Sequence, residues 1–131
     1  MSKTKLGSNT IFTGSGKGLT IVANHCYAYS GVLAFDDNEI TLLEFNTGKR
    51  LLDLTLMPYR DDSDSLDSKH RLYINDIKVW ATGMGSGGTT IGDYNKIIIP
   101  SLSHVKLTIQ NVSNTSNGQG GIAIAGDLIN G

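Results

Sequence analysis

Between Lys96 and Ile109 the chain writes two different strands around one proline. The apolar run Ile97-Ile98-Ile99 stops at Pro100, and the strictly alternating run Val105-Lys106-Leu107-Thr108-Ile109 begins soon after. A third run, Gly121-Ile122-Ala123-Ile124-Ala125-Gly126, follows near the end. Proline has no N–H for a sheet ladder, so the first run must end there or turn. In a sandwich, corners are made where a strand leaves one sheet for the other. The expectation is that the chain leaves a sheet at Ile99 and enters a second near Val105. There Val105, Leu107 and Ile109 would face inward, and Lys106, Thr108 and Gln110 outward.

The rest of the chain keeps the same period of two. Tyr27, Tyr29, Gly31, Leu33 and Phe35 alternate with Ala28, Ser30, Val32 and Ala34, which reads as one central strand apolar on both sides. Glu39 to Phe45 reads as the next strand, with Thr41, Leu43 and Phe45 on one face. Asn46-Thr47-Gly48 is expected to be a hairpin loop with Gly48 free to take positive φ. Arg50 to Met57 would return with Leu52, Leu54 and Leu56 inward, and Pro58 would help to end it. Arg71-Leu72-Tyr73-Ile74 and Ile77-Lys78-Val79-Trp80 flank Asn75-Asp76, a two-residue turn whose type I′ geometry needs positive φ at both positions. Gly83 to Gly92 is a glycine-rich loop. About nine short strands follow, with no capped helical period, and the fold class is all-β: an antiparallel, jelly-roll-like sandwich.

A chain of 131 residues suits one domain large enough to fold without staples. Residues 1–18 are polar and glycine-punctuated and read as a flexible arm, leaving 19–131 as the β-domain. The lone Cys26 excludes an intrachain disulfide, and a net charge of -1 gives no basic excess for nucleic acid or an anionic membrane. Two lysines near Met1 precede no apolar run, so neither a signal peptide nor a spanning segment is expected.

Candidate chemistry is thin. Gly83-Met84-Gly85-Ser86-Gly87-Gly88 matches a dinucleotide fingerprint in letters, but Thr89-Thr90-Ile91 does not open the helix that chemistry needs. Gly14-Ser15-Gly16-Lys17-Gly18 resembles a phosphate loop, yet Ile11 and Gly18 stand where glycine and a hydroxyl residue are required. The acidic loop Asp61 to Asp67 offers carboxylates for a weak calcium site, against the plainer reading of a solvated loop. His25, His70, His104 and Cys26 show no zinc or nucleophile spacing. His25 and Cys26, being adjacent on a strand, should face opposite ways, with Cys26 buried. Asn111-Val112-Ser113 and Asn114-Thr115-Ser116 are glycosylation sequons that read as a polar loop. Strand tyrosines and Trp80 read as core, though exposed aromatics could stack on sugars. No catalytic, cofactor-binding or metal residue is assigned.

The order of motifs is more informative than any single one. Tyr29-Ser30-Gly31-Val32-Leu33-Ala34, Thr41 to Gly48, Leu72 to Val79, Ile98-Ile99-Pro100 with Val105 to Thr108, and Ile124-Ala125-Gly126-Asp127-Leu128 together resemble small structural proteins of tailed bacteriophages, especially those of aquatic viruses. The chain departs from that pattern at Asp76, where glycine is usual, at Ser101, where a second proline is common, and at Asp127, where a basic residue is common. The resemblance implies a non-enzymatic virion protein without cofactors, made in the host cytoplasm. Its implied role is capsid decoration or cement; the alternative is a receptor- or glycan-binding head on a fibre. The implied partners are the major capsid protein or another virion protein, and further copies of itself, with a homotrimer as the expected state.

Overall fold

A computed structural model describes residues 8–11, 18–61, 66–85, 90–91 and 94–129. They form twelve β-segments: β1 Ser8–Ile11, β2 Leu19–Val22, β3 His25–Tyr29, β4 Leu33–Phe35, β5 Ile40–Asn46, β6 Leu51–Arg60, β7 Ser68–Ile74, β8 Ile77–Met84, β9 Thr90–Ile91, β10 Asn95–Ile99, β11 His104–Asn111 and β12 Gly118–Ile129. There is no helix among the described residues. Eight segments make a larger sheet in the order β1-β2-β3-β12-β6-β10, with β4 also on β12 and β9 on β6; β5-β11-β7-β8 make the smaller. Every pairing is antiparallel. The all-β, jelly-roll-like sandwich is therefore the observed fold.

Ser8–Ile11 lies within the stretch expected to be an arm, and its backbone pairs with β2. The phosphate-loop-like stretch at 12–17, the middle of the acidic loop at 62–65 and the glycines at 87–88 lie outside the described residues.

The core follows from the alternation. Leu54, Leu56, Ile122 and Ile124 of the larger sheet face Leu43, Phe45, Leu72, Leu107 and Ile109 of the smaller, and all are fully buried. Each such side chain contributes about 1.5–3 kcal/mol through burial. The Pro100 corner switches sheets as expected, β10 lying in the larger and β11 in the smaller. Asn75 and Asp76 both have positive φ, 52° and 67°, and join β7 to β8 as a two-residue turn.

Several expectations are corrected. Asn46-Thr47-Gly48 is no hairpin, because β5 and β6 belong to different sheets. It is a second corner, latched to the first: Thr47 Oγ1 donates to the Pro100 carbonyl (2.9 Å) and accepts from the Ser103 N–H (2.8 Å). Gly48 does not take positive φ; Leu102 does, at 55°. Pro58 does not end a strand. β10 pairs with residues 52–56 of β6 and β9 with 59–60, so Pro58 falls between them, where its missing N–H breaks no ladder on that side. Thr108 lies on the outer face as expected but is buried there, its hydroxyl donating to Glu39.

The Tyr27-to-Phe35 strand is two strands. β3 and β4 both pair with β12, separated by a break at Ser30–Val32 where Gly31 has φ 74°. The Ser30 side chain carries the ladder across this break. The Ser30 backbone N–H donates to the Ile122 carbonyl (3.0 Å), and the Ser30 hydroxyl accepts from the Ile122 N–H (2.9 Å). The break resets the phase. Cys26, Ala28 and Ser30 are buried before it and Phe35 after it, so Tyr27 and Tyr29 point outward rather than into the core.

Candidate functional site

The two outer faces of the sandwich differ in kind. On the smaller sheet, register places Glu44, Lys106 and Tyr73 side by side, and Thr41, Thr108 and Arg71 beside them. Glu39 accepts from Tyr73 Oη (2.7 Å) and Thr108 Oγ1, with Arg71 Nη1 at 3.5 Å. Burial raises the Glu39 carboxyl, but those hydroxyls and the charges of Arg71 and Lys106 outweigh it and hold the group below 4.5. Lys106 Nζ lies 5.2 Å from the centre of the Tyr73 ring. His104 Nε2 is 2.7 Å from Glu44 Oε2, and its other nitrogen is 2.9 Å from Asn46 Oδ1. These groups form a polar network across β5, β11 and β7, while Ile77 and Val79 are exposed on the edge strand β8.

The outer face of the larger sheet is mixed, one row running from Val22 through His25, Asp127 and Asp53 to Ile98. Register sets Thr20, Tyr27, Ala125, Thr55 and Lys96 in one row, and Tyr29, Ala123 and Met57 in the next. The Tyr27 and Tyr29 rings lie tilted at 36° to each other with centres 5.3 Å apart, and Tyr29 is 58% exposed. Val22, Val32, Tyr94 and Ile98 are exposed as well. Ala123 and Ala125 of β12, whose side chains are single methyl groups, form the floor of these two rows. Next to Ala123 the surface dips into a cleft of about 390 Å³, lined by Val32, Met57, Pro58, Tyr59, Tyr94 and Ala123, with Arg60 and Asp61 at its end. That size lies within the range of ligand and side-chain pockets.

Glycine shapes the cleft. Gly121 pairs with Tyr59, whose hydroxyl lies where a Cβ on Gly121 would come within 2.9 Å. The Tyr59 ring can lie across β12 only because nothing projects there. The Asp61 N–H donates to the Gln119 carbonyl (2.7 Å) and fixes the cleft's far end to β12.

Beneath the cleft two polar side chains are buried. Arg60 is 1% exposed and its Nη1 donates to the carbonyls of Leu66 (2.9 Å), Gly85 (3.1 Å) and Met84 (3.4 Å). His70 is fully buried; its Nε2–H donates to the Gly121 carbonyl (2.8 Å), and its Nδ1 has no hydrogen-bond partner among the described residues. Burial pulls the His70 imidazole down from 6.5 to about 4; the Gly121 bond works against this and the Arg60 charge with it. The unfolded chain therefore takes up a proton at His70 before the folded one does. Stability should fall as pH drops from 6.5 towards 4, by about 2 kcal/mol between pH 7 and pH 5. Glu39 loses its contribution only below 4.5, outside that interval. Urea unfolding at the two pH values measures the change, and a His70→Gln variant should show a flatter dependence.

The remaining sequence candidates do not converge. His25 lies on the outer face of the larger sheet, its Nδ1–H 2.6 Å from Asp127 Oδ1. Asp127, the departure at the last strand, thus has a partner within the fold. Cys26 faces inward as expected, and burial, with the Asp127 charge, raises its thiol to about 11. No group of three or more metal-ligating side chains occurs among the described residues. The Asn111 sequon side chain is buried in its own turn, donating to Asn114 Oδ1 (2.7 Å) and the Ser116 carbonyl (2.8 Å). The cleft was not among the sequence candidates, since its lining comes from four separate segments.

No family model and no curated protein matches this chain. Solved structures do. The T13 particle of infectious bursal disease virus is similar over 82% of this chain, with TM-score 0.54 and 14% identity. The Gx strain of that virus is similar over 94%, with TM-score 0.55 and 13% identity. Its VP2 subviral particle is similar over 92%, with TM-score 0.51 and 11% identity. This chain spans 31% of the first of those chains and 38% of each of the other two. None is a bacteriophage structure. At such identities the likeness is one of fold, and the fold is a β-rich one found in virus particles.

Proposed function

We propose that this chain is a non-enzymatic virion structural protein, a decoration or cement protein on the capsid of a tailed bacteriophage. The observation that carries it is the inequality of the two outer faces. A face bearing Val22, Tyr27, Tyr29 and Ile98 in the open is suited to packing on another protein. The hydrogen-bonded centre of the smaller sheet's outer face is suited to solvent. The likeness in fold to virus-particle structures supports this reading. Mechanistically, the larger sheet would lie on the major capsid protein and span a seam between its copies, three chains meeting at three-fold positions. Mass spectrometry of purified particles, followed by reconstruction, should find the chain at symmetric shell positions. Particles that lack it would overturn the assignment.

The exposed ring pair Tyr27–Tyr29 favours a second reading, a receptor- or glycan-binding head on a fibre, since exposed rings can stack on sugars. A glycan array without hits, together with a shell position, would end that reading.

A further inference from the structure

We propose that a hollow between Glu39, Tyr73, Asp76 and Lys106, on the outer face of the smaller sheet, binds a neutral saccharide. The hollow lies on the sheet opposite Tyr27 and Tyr29, so it stays open whatever the larger sheet packs on. Its failure and the failure of the virion role are therefore separate results.

An irregularity in β5 widens this face. Leu107 pairs with Leu43 and Thr108 with Thr41, so Leu42 is an extra residue, a β-bulge. Leu42 and Leu43 are both buried. The outward side chains of β5, Thr41 and Glu44, are thereby three positions apart, where Thr108 and Lys106 on the facing β11 are two apart. Beside this stretch lies a hollow of about 360 Å³, lined by Glu39, Thr41, Tyr73, Asp76, Lys106 and Thr108. That size suits a small ligand.

The lining leaves a defined hydrogen-bonding capacity open. The Tyr73 and Thr108 hydroxyls direct their protons at Glu39, so toward the hollow they can only accept. Asp76, set in its turn at φ 67°, presents a carboxylate with no hydrogen-bond or ion-pair partner among the described residues. Lys106 stands opposite Glu44 in the register, but Glu44 is engaged by His104 Nε2 (2.7 Å). The half-buried Lys106 lies instead over the Tyr73 ring, 5.2 Å from its centre, and no acceptor among the described residues is bonded to its ammonium. The hollow thus offers several acceptors and one cationic donor. Its ligand must bring several O–H donors, at least one acceptor and no net charge. The vicinal hydroxyls of a pyranose both donate and accept, and meet all three demands. A phosphate brings only acceptors and sets its charge against Glu39 and Asp76; an alkylammonium brings only donors and meets Lys106.

Amide NMR of the isotope-labelled chain tests this, with the methyl glycosides of glucose, galactose, mannose and N-acetylglucosamine as probes. At least one should give saturable shifts centred on Thr41, Tyr73, Asp76, Lys106 and Thr108. Lys106→Met keeps the apolar stem and removes the donor; Asp76→Gly removes the acceptor and suits a turn with positive φ. Both should fold, and each should weaken the binding by about tenfold or more. Tyr29→Ala, on the other sheet, should leave it unchanged, and methyl phosphate should give no saturable shift. Four glycosides without saturable shifts, shifts centred on Tyr27 and Tyr29, an affinity that survives both substitutions in the hollow, or tighter binding of methyl phosphate would overturn the proposal.

Discussion

Gly121→Ala should cost the domain about 3–5 kcal/mol, a large share of the roughly 5–15 kcal/mol that holds a domain folded. An added Cβ would lie 2.1 Å from the Gly31 carbonyl oxygen, 2.5 Å from Ser30 Oγ and 2.9 Å from the Tyr59 hydroxyl. Two of these groups belong to the break between β3 and β4, which Ser30 spans with a pair of hydrogen bonds to Ile122. The break can yield only by giving up that pair. The third forms the cleft wall. Thermal unfolding should show a drop of roughly 10–20 °C. A melting point close to that of the wild type would mean that the strand break is not held as described.

Arg60→Met is expected to destabilise the domain by about 3–5 kcal/mol, although the new side chain is of similar length and apolar. The reason lies in what is left behind. The carbonyls of Leu66, Met84 and Gly85 converge on the guanidinium from two separate stretches of chain. Without it the Leu66 and Met84 carbonyls remain buried with a donor lost from each. Arg60→Lys keeps the charge but not the planar fork that reaches several acceptors, and should recover only part of the loss. Urea midpoints for the three proteins give the ranking, and a Met variant as stable as the wild type would refute it.

Local chemistry was legible in the sequence wherever one short segment decides the outcome. Asn75-Asp76 announces its turn because few residues tolerate two successive positive φ angles. Leu52, Leu54 and Leu56 announce an inward face by alternation, as do Val105, Leu107 and Ile109. Pro100 announces its corner. What failed depends on a partner far away in sequence. Asn46-Thr47-Gly48 looks like a hairpin loop until its true partner, the Pro100 corner, is placed beside it. Pro58 looks like a terminator because the gap between β10 and β9 has no local signature. Tyr27 and Tyr29 look like core because the phase reset at Ser30–Val32 is set by β12, whose Gly121 admits Ser30 and Gly31 at close range. The cleft was illegible for the same reason: Val32, Met57 to Tyr59, Tyr94 and Ala123 meet only when β12 has paired with β3 and β6.

The place of β12 has a consequence for the birth of the molecule. It is the last described strand in sequence and an inner strand in space, pairing on one side with β3 and β4 and on the other with β6. His25 and Asp127, which face each other across β3 and β12, are 102 residues apart in sequence. A ribosome must therefore have made β12 before the larger sheet can close. Until then β3 and β6 offer bare edges to any neighbouring nascent chain. Closing so long a loop is slow relative to local pairing. Closure of the larger sheet thus waits for β12, and the yield of folded protein is set by a race between the arrival of β12 and the mispairing of the edges that wait for it.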